Sequence, residues 1–141
     1  MAHYAKLDEN NVVTDILVVD NEWEREKGEP FILQWLKDGW GGTKWVKTSY
    51  NTHLNNHQLG GEPLRYNYAQ IDGTYDPVRD AFIPTKAAGF DSWILDENTC
   101  VWKAPIDVPD DASTTVFYEW NESAYQADNT KGWEKITDKP L

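Results

Sequence analysis

The sequence is short of sulfur, of cations and of long apolar runs. Cys100 is its only cysteine, so the chain can hold neither an internal disulfide nor a cysteine-based zinc site. Thirteen Lys and Arg stand against 24 Asp and Glu, a formal net charge of −11. Too few cations remain to face the phosphates of a nucleic acid unaided, and the same sign disfavours an anionic membrane surface. No apolar run approaches the roughly 20 residues of a membrane span. The opening Met1-Ala2-His3-Tyr4-Ala5-Lys6 lacks the apolar centre of a secretory signal. The expectation is a chain made and used without export.

What the sequence has in excess is aromatic surface. The 141 residues include 8 Trp and 7 Tyr, side chains that suit half-buried sheet faces because each joins a large apolar body to a polar tip. That length suffices for an ordinary hydrophobic core. For most of these rings, filling the core of a small sheet poor in aliphatics is the plain reading.

One pattern recurs. Leu7-Asp8-Glu9-Asn10 returns at Leu95-Asp96-Glu97-Asn98, with looser copies at Tyr75-Asp76-Pro77-Val78-Arg79-Asp80-Ala81-Phe82 and Tyr118-Glu119-Trp120-Asn121-Glu122-Ser123-Ala124-Tyr125. An apolar residue, an acidic or Asn turn and a second apolar segment make up a short β-hairpin. Segments His3–Asp8 and Val12–Val19 read as two strands, the second β-branched and apolar enough to predict a central strand. Asn21 with Glu24 fits a helix start. Gly28-Glu29-Pro30 interrupts that helix, Pro30 suits the first turn of a new one, and Gly39 is a natural stop. Phe31, Ile32, Trp35 and Leu36 share one face at helical spacing, so the helical element over about residues 21–38 is expected on the sheet. Thr43–Tyr50 alternates cleanly as a strand. Residues 51–63 form a polar, amide-rich loop without periodicity, long enough to suggest a purpose.

Further on, Leu64–Asp72 reads as extended, Asp72-Gly73 as a turn, and 84–91 as a connector. Cys100, between Thr99 and Val101, reads as a small buried residue in a strand. Pro105–Ser113, with Asp107, Asp110 and Asp111, reads as an acidic linker or edge segment. A last hairpin is expected from Val116–Trp120 and Gly132–Ile136. The fold class is therefore α+β or mostly β: an antiparallel sheet with one helical element, then serial hairpins. Residues 1–84 would form the core and 85–141 a hairpin extension, or the two one continuous domain.

No catalytic constellation emerges. The glycines before Thr43-Lys44 have the wrong order and spacing for a phosphate loop, and no nucleophile elbow occurs. His53 and His57 are four apart, but in a Gly/Asn-rich loop that spacing loses its metal-binding geometry, and polar loop contacts explain His3, His53 and His57 better. No acidic stretch matches a calcium loop. No catalytic residue, cofactor or metal ligand is assigned. Loops holding Trp, Tyr, Asn and His suit contact with a protein or glycan. The candidates for such contact are Tyr50, His53, His57, Trp93, Trp102, Trp120 and Trp133.

Several stretches carry a resemblance: His3–Val13 with Val18-Val19-Asp20-Asn21, Thr48-Ser49-Tyr50-Asn51-Thr52, Arg65-Tyr66-Asn67-Tyr68-Ala69, Thr74-Tyr75-Asp76 with Asp80–Pro84, and Ser92-Trp93-Ile94-Leu95 with Trp102-Lys103-Ala104-Pro105. In this order, over most of the chain, they resemble small virion-associated proteins of marine and cyanobacterial tailed phages. The chain departs from that pattern at Ala87–Asp91, where a proline-rich approach is usual, and at Gln126–Lys131, which lengthens the last loop. The resemblance implies a non-enzymatic virion structural protein, assembled in the host cytoplasm, in several copies or as a homo-oligomer. It would dock on other virion proteins, with tail, baseplate or fibre favoured over capsid decoration, and without nucleic acid or membrane. A glycan- or host-surface-binding module is one alternative; an assembly chaperone or host-directed factor is another.

Overall fold

A computed structural model describes residues 1–136 of the chain. The protein is α+β, with small antiparallel sheets and short helices, as the sequence predicts. It divides into two compact units: residues 1–85 with 96–101, and residues 86–95 with 102 onward. The hairpin extension expected over 85–141 includes residues 137–141, which lie outside the described residues.

The first unit is built on strands β1 (Ala2–Leu7), β2 (Val13–Val19) and β3 (Lys44–Thr48), in the order β2-β1-β3. The central strand is thus β1, and β2 is an edge, contrary to the sequence expectation. Two layers explain this. Ala2 and Tyr4 point to one face, packing with Val19, Ile32, Leu36 and Trp45. Ala5 and Leu7 point to the other, packing with Val13, Ala69 and Phe82. Strand β1 is therefore covered on both sides, as alternation in a doubly buried strand requires. The apolar end of β2 serves both layers through Leu17, Val19 and Ile16, while Thr14, Asp15 and Val18 stay exposed.

The helical element is two helices, α1 (Asn21–Lys27) and α2 (Glu29–Trp40), parted at Gly28 (φ 87°). The cap of α1 is Asp20 and not Asn21: its carboxylate accepts the amides of Glu22 at 2.8 Å and Trp23 at 3.2 Å. A charged acceptor one residue earlier satisfies two orphan donors and complements the helix dipole. Helix α2 runs past Gly39 to Trp40 and closes at Gly41, whose N–H donates to the Lys37 carbonyl. Its apolar residues form two adjacent i,i+4 rows. The Ile32/Leu36 row is buried, and the Phe31/Trp35 row is exposed.

The loop 51–63 is more ordered than expected. It holds a hairpin of β4 (Thr52–His53) and β5 (Asn56–His57), turned through Leu54 and Asn55 with φ of 53° and 59°, the geometry of a two-residue hairpin turn. The extended segment expected over Leu64–Asp72 is absent, because Arg65 and Tyr66 adopt positive φ and break any strand. A hydrogen-bonded hub follows them. The buried Asn67 accepts the Leu54 amide at 2.9 Å and donates to the carbonyls of Thr99 at 2.9 Å and of Phe82 and Cys100 at 3.2 Å.

Strands β6 (Thr74–Asp76) and β7 (Ala81–Ile83) form the expected hairpin. The repeated Leu-Asp-Glu-Asn segments form matching tips. The Asp8 carboxylate accepts the amides of Asn10 and Val12, the Asp96 carboxylate accepts that of Asn98, and Asp76 does the same for Val78 and Arg79. Cys100 is buried, as expected, but sits in the Asp96 turn with φ 54° rather than in a strand.

The second unit contains β8 (Ile94–Leu95) paired with β9 (Trp102–Lys103), and β10 (Phe117–Trp120) paired with β11 (Trp133–Ile136). Between β10 and β11 lies helix α3 (Glu122–Ala127), so Tyr118–Tyr125 is strand and helix, not a hairpin. Asn121 causes the switch by accepting the Ala124 amide at 3.0 Å as an N-cap.

Candidate functional site

In the first unit, antiparallel register sets His3 beside Thr48, and Tyr50 follows as the chain leaves β3. Tyr50 is 63% exposed, yet braced. Its ring lies 5.8 Å from His3, nearly parallel at 22°. It also meets Tyr68 edge-on at 5.4 Å, and Tyr68 stands edge-on to His3 at 5.5 Å. Burial lowers the His3 imidazole below its ordinary value and raises the Tyr68 phenol, so both rings are neutral at pH 7.

His3 and Tyr50 border an open depression of about 590 Å³, lined also by Lys47, Asn51, His57 and Glu62. His57 is held by its own loop, its Nδ1 accepting the amides of Leu59 at 3.1 Å and Gly61 at 2.9 Å. That fixes the neutral tautomer with its proton on Nε2. A Cβ at Gly61 would lie 3.0 Å from the imidazole and press on the ring.

Beneath the rim, Lys47 Nζ meets Glu24 Oε1 at 2.7 Å, and the Tyr4 hydroxyl donates to Glu24 Oε2. Burial opposes the charge on Glu24, but the hydrogen bonds from Lys47 and Tyr4 hold its carboxyl below the ordinary value. Burial and the Glu24 contact push the Tyr4 phenol well up. The group is a closed ion pair with a neutral tyrosine.

Of the residues expected at a contact site, Tyr50 and His57 share this depression. His53 does not: it is exposed and pairs by register with Asn56, while His57 pairs with Thr52, which puts the two imidazoles on opposite faces of a small hairpin. Among the described residues, no group of three or more His, Cys, Asp or Glu converges on a point.

Trp93, Trp120 and Trp133 come together in the second unit, each half-buried. Trp93 meets Trp120 at 5.9 Å, Trp133 at 6.0 Å and Phe90 at 4.9 Å, and Trp120 meets Trp133 at 5.2 Å. Glu122 ties the cluster: Oε1 accepts Trp120 Nε1 at 3.1 Å and the Ser92 hydroxyl at 2.8 Å, while Oε2 accepts Gln126 at 2.7 Å. Burial opposes ionisation here too, but the hydrogen bonds from Gln126, Trp120 and Ser92 outweigh it and draw the Glu122 carboxyl down to about 2. Trp133 Nε1 donates to the Ile106 carbonyl at 2.8 Å. Trp102 carries the Lys86 ammonium 4.3 Å from its ring centre, a cation–π contact.

The sequence did not single out the outer face of α1 and α2 as a surface. Phe31 is 45% and Trp35 40% exposed. Trp23 bridges the two edge-on, at 5.8 Å to Phe31 and 4.9 Å to Trp35, and Lys27 lies over Phe31. The available signal was the doubled row. A helix covering one sheet face needs a single stripe, so a second aromatic row beside it has to face elsewhere. No helix among the described residues is long and apolar enough to cross a membrane. No protein-family model, curated protein or solved structure matches the chain.

Proposed function

We propose that this protein is a non-enzymatic structural component of a tailed-phage particle that docks onto other virion proteins, on the tail, baseplate or fibre in preference to the capsid surface. The observation that supports it most is the aromatic face of α1 and α2, where Phe31 and Trp35 are each at least two-fifths exposed and both meet Trp23. Grouped apolar surface of this kind is costly to leave in water and marks contact sites, and Trp is favoured at the centres of such contacts. The edge strand β2, which carries the exposed Val18, adds a place where a partner strand can pair. Many copies on one particle make modest affinity per site sufficient.

The direct test is mass spectrometry of purified virions together with localisation in an electron-microscopy map. Presence at a fixed stoichiometry on the tail supports the reading. Presence on the capsid moves the docking partner, and absence from mature particles replaces the reading with an assembly factor. If the protein is present, Trp35→Ala should reduce its incorporation while leaving the isolated chain folded.

A further inference from the structure

The depression beside Tyr50 has a second, independent character that the docking face does not use. We propose that it binds a neutral pyranose sugar. Its lining includes a braced aromatic ring: Tyr50, 63% exposed, is stacked on one side by His3 at 5.8 Å and propped by Tyr68 at 5.4 Å. Ring order of this kind lowers the entropy lost when a ligand settles, and a pyranose offers the apolar C–H face that such a ring accepts. The same lining mixes donors and acceptors. Asn51 supplies both, Glu62 accepts, and His57 offers its Nε2–H, since Nδ1 is held by the amides of Leu59 and Gly61. Adjacent hydroxyls need that mixture. At about 590 Å³ the volume falls within the range of small-molecule sites.

Charge narrows the class. Lys47, the lysine in the wall, is already paired with Glu24 at 2.7 Å. His3 is neutral at pH 7, and the chain carries a net charge of −11. The lining otherwise holds one charge of each sign, the Met1 ammonium and the Glu62 carboxylate, so phosphorylated, sulfated or sialylated sugars would bring an anion into a site with no net positive charge, and a nucleotide would do the same. A fatty or purely apolar ligand would leave the polar lining unsatisfied.

The test is amide-resolved NMR of the full chain titrated with the methyl glycosides of D-glucose, D-galactose and D-mannose, with N-acetyl-D-glucosamine, and with glucose 6-phosphate. At least one neutral sugar should give saturable shifts of the amides at 49–51 and 57–62. Tyr50→Ala should weaken that binding about tenfold, equivalent to about 1.4 kcal/mol. Tyr50→Phe should retain it, and Trp102→Ala should leave it unchanged. Glu62→Gln, in an exposed loop, should weaken it about fivefold without touching the ring stack. Saturable binding of none of the neutral sugars, tighter binding of glucose 6-phosphate, or shifts that survive Tyr50→Ala would overturn the proposal. None of these outcomes bears on whether the protein is found in virions.

Discussion

Replacing Asn67 with alanine should destabilise the first unit more than any exposed substitution. The side chain is 7% exposed. Its oxygen accepts one amide, and its two amide protons serve three carbonyls, those of Thr99, Phe82 and Cys100. One of the three is therefore a shared contact. Alanine leaves the part-buried Leu54 donor and two or three carbonyls unpaired, at about 1–3 kcal/mol for each orphan that water cannot reach. Because water reaches some of them, the expected loss is about 3–5 kcal/mol, a large part of the stability of a small domain. Urea unfolding followed by far-UV circular dichroism measures the total. Hydrogen exchange at Leu54, which would lose its acceptor, localises it.

Asn67→Asp separates lost packing from lost donation. The carboxylate keeps its acceptor for Leu54 but faces the carbonyls, so its folded pKa should rise above the unfolded value of about 3.9. The sign follows. The native state then holds a proton more tightly than the unfolded chain, so the variant is least destabilised at low pH and loses stability as pH rises through its folded pKa. A loss below about 1 kcal/mol for Asn67→Ala, or a pH-independent deficit for Asn67→Asp, would refute the hub.

Three further outcomes follow from the geometry. Glu122 has its folded pKa drawn down to about 2, so its contribution is complete above its unfolded pKa of about 4.3 and should fade as pH falls toward 2. Acid titration of tryptophan fluorescence should show this transition, and Glu122→Gln should flatten it. Gly132→Ala would place a methyl 2.4 Å from the Trp120 ring, an overpacking worth about 1–3 kcal/mol and visible as weakened near-UV ellipticity. The Cys100 thiol, buried and with its pKa raised mainly by that burial, should react with a thiol reagent at pH 8 only as fast as the unit opens; rapid labelling of native protein would contradict its placement.

Much of the fold was legible because local chemistry decides it. The alternation of Thr43–Tyr50 gives β3 directly, and the Asp-led tips follow from a carboxylate that caps its own turn, which is why Leu7-Asp8-Glu9-Asn10 and Leu95-Asp96-Glu97-Asn98 behave alike. Gly28 and Pro30 announced the helix break. What stayed hidden depends on distant partners. Which of β1 and β2 is central is decided by Phe82, Ala69 and the Ile32/Leu36 row of α2, none of them adjacent to either strand in sequence. Helix α3 escaped notice because six residues between apolar segments look like a hairpin turn until Asn121 caps them. At the candidate site, Tyr50 and His57 were recognisable as loop aromatics, but their partner His3 arrives only through the β1–β3 register. Trp93, Trp120 and Trp133 have the residue type of contact sites, and in the structure they pack on one another. Composition does not say whether an aromatic residue finds its neighbour within the chain or outside it.

The allocation of the Asp96 tip has a practical consequence. Residues 96–101 belong to the first unit although the strands on either side of them belong to the second. Arg79 grips Glu97 with a two-pronged bond of 2.6 Å on each prong, and Asn67 holds Thr99 and Cys100. A fragment ending at Thr85 would therefore lack the far half of both attachments, and one beginning at Lys86 would carry a tip with nothing to grip. The polypeptide is stitched rather than beaded: no single cut divides it into the two units, because the chain returns to the first at 96–101.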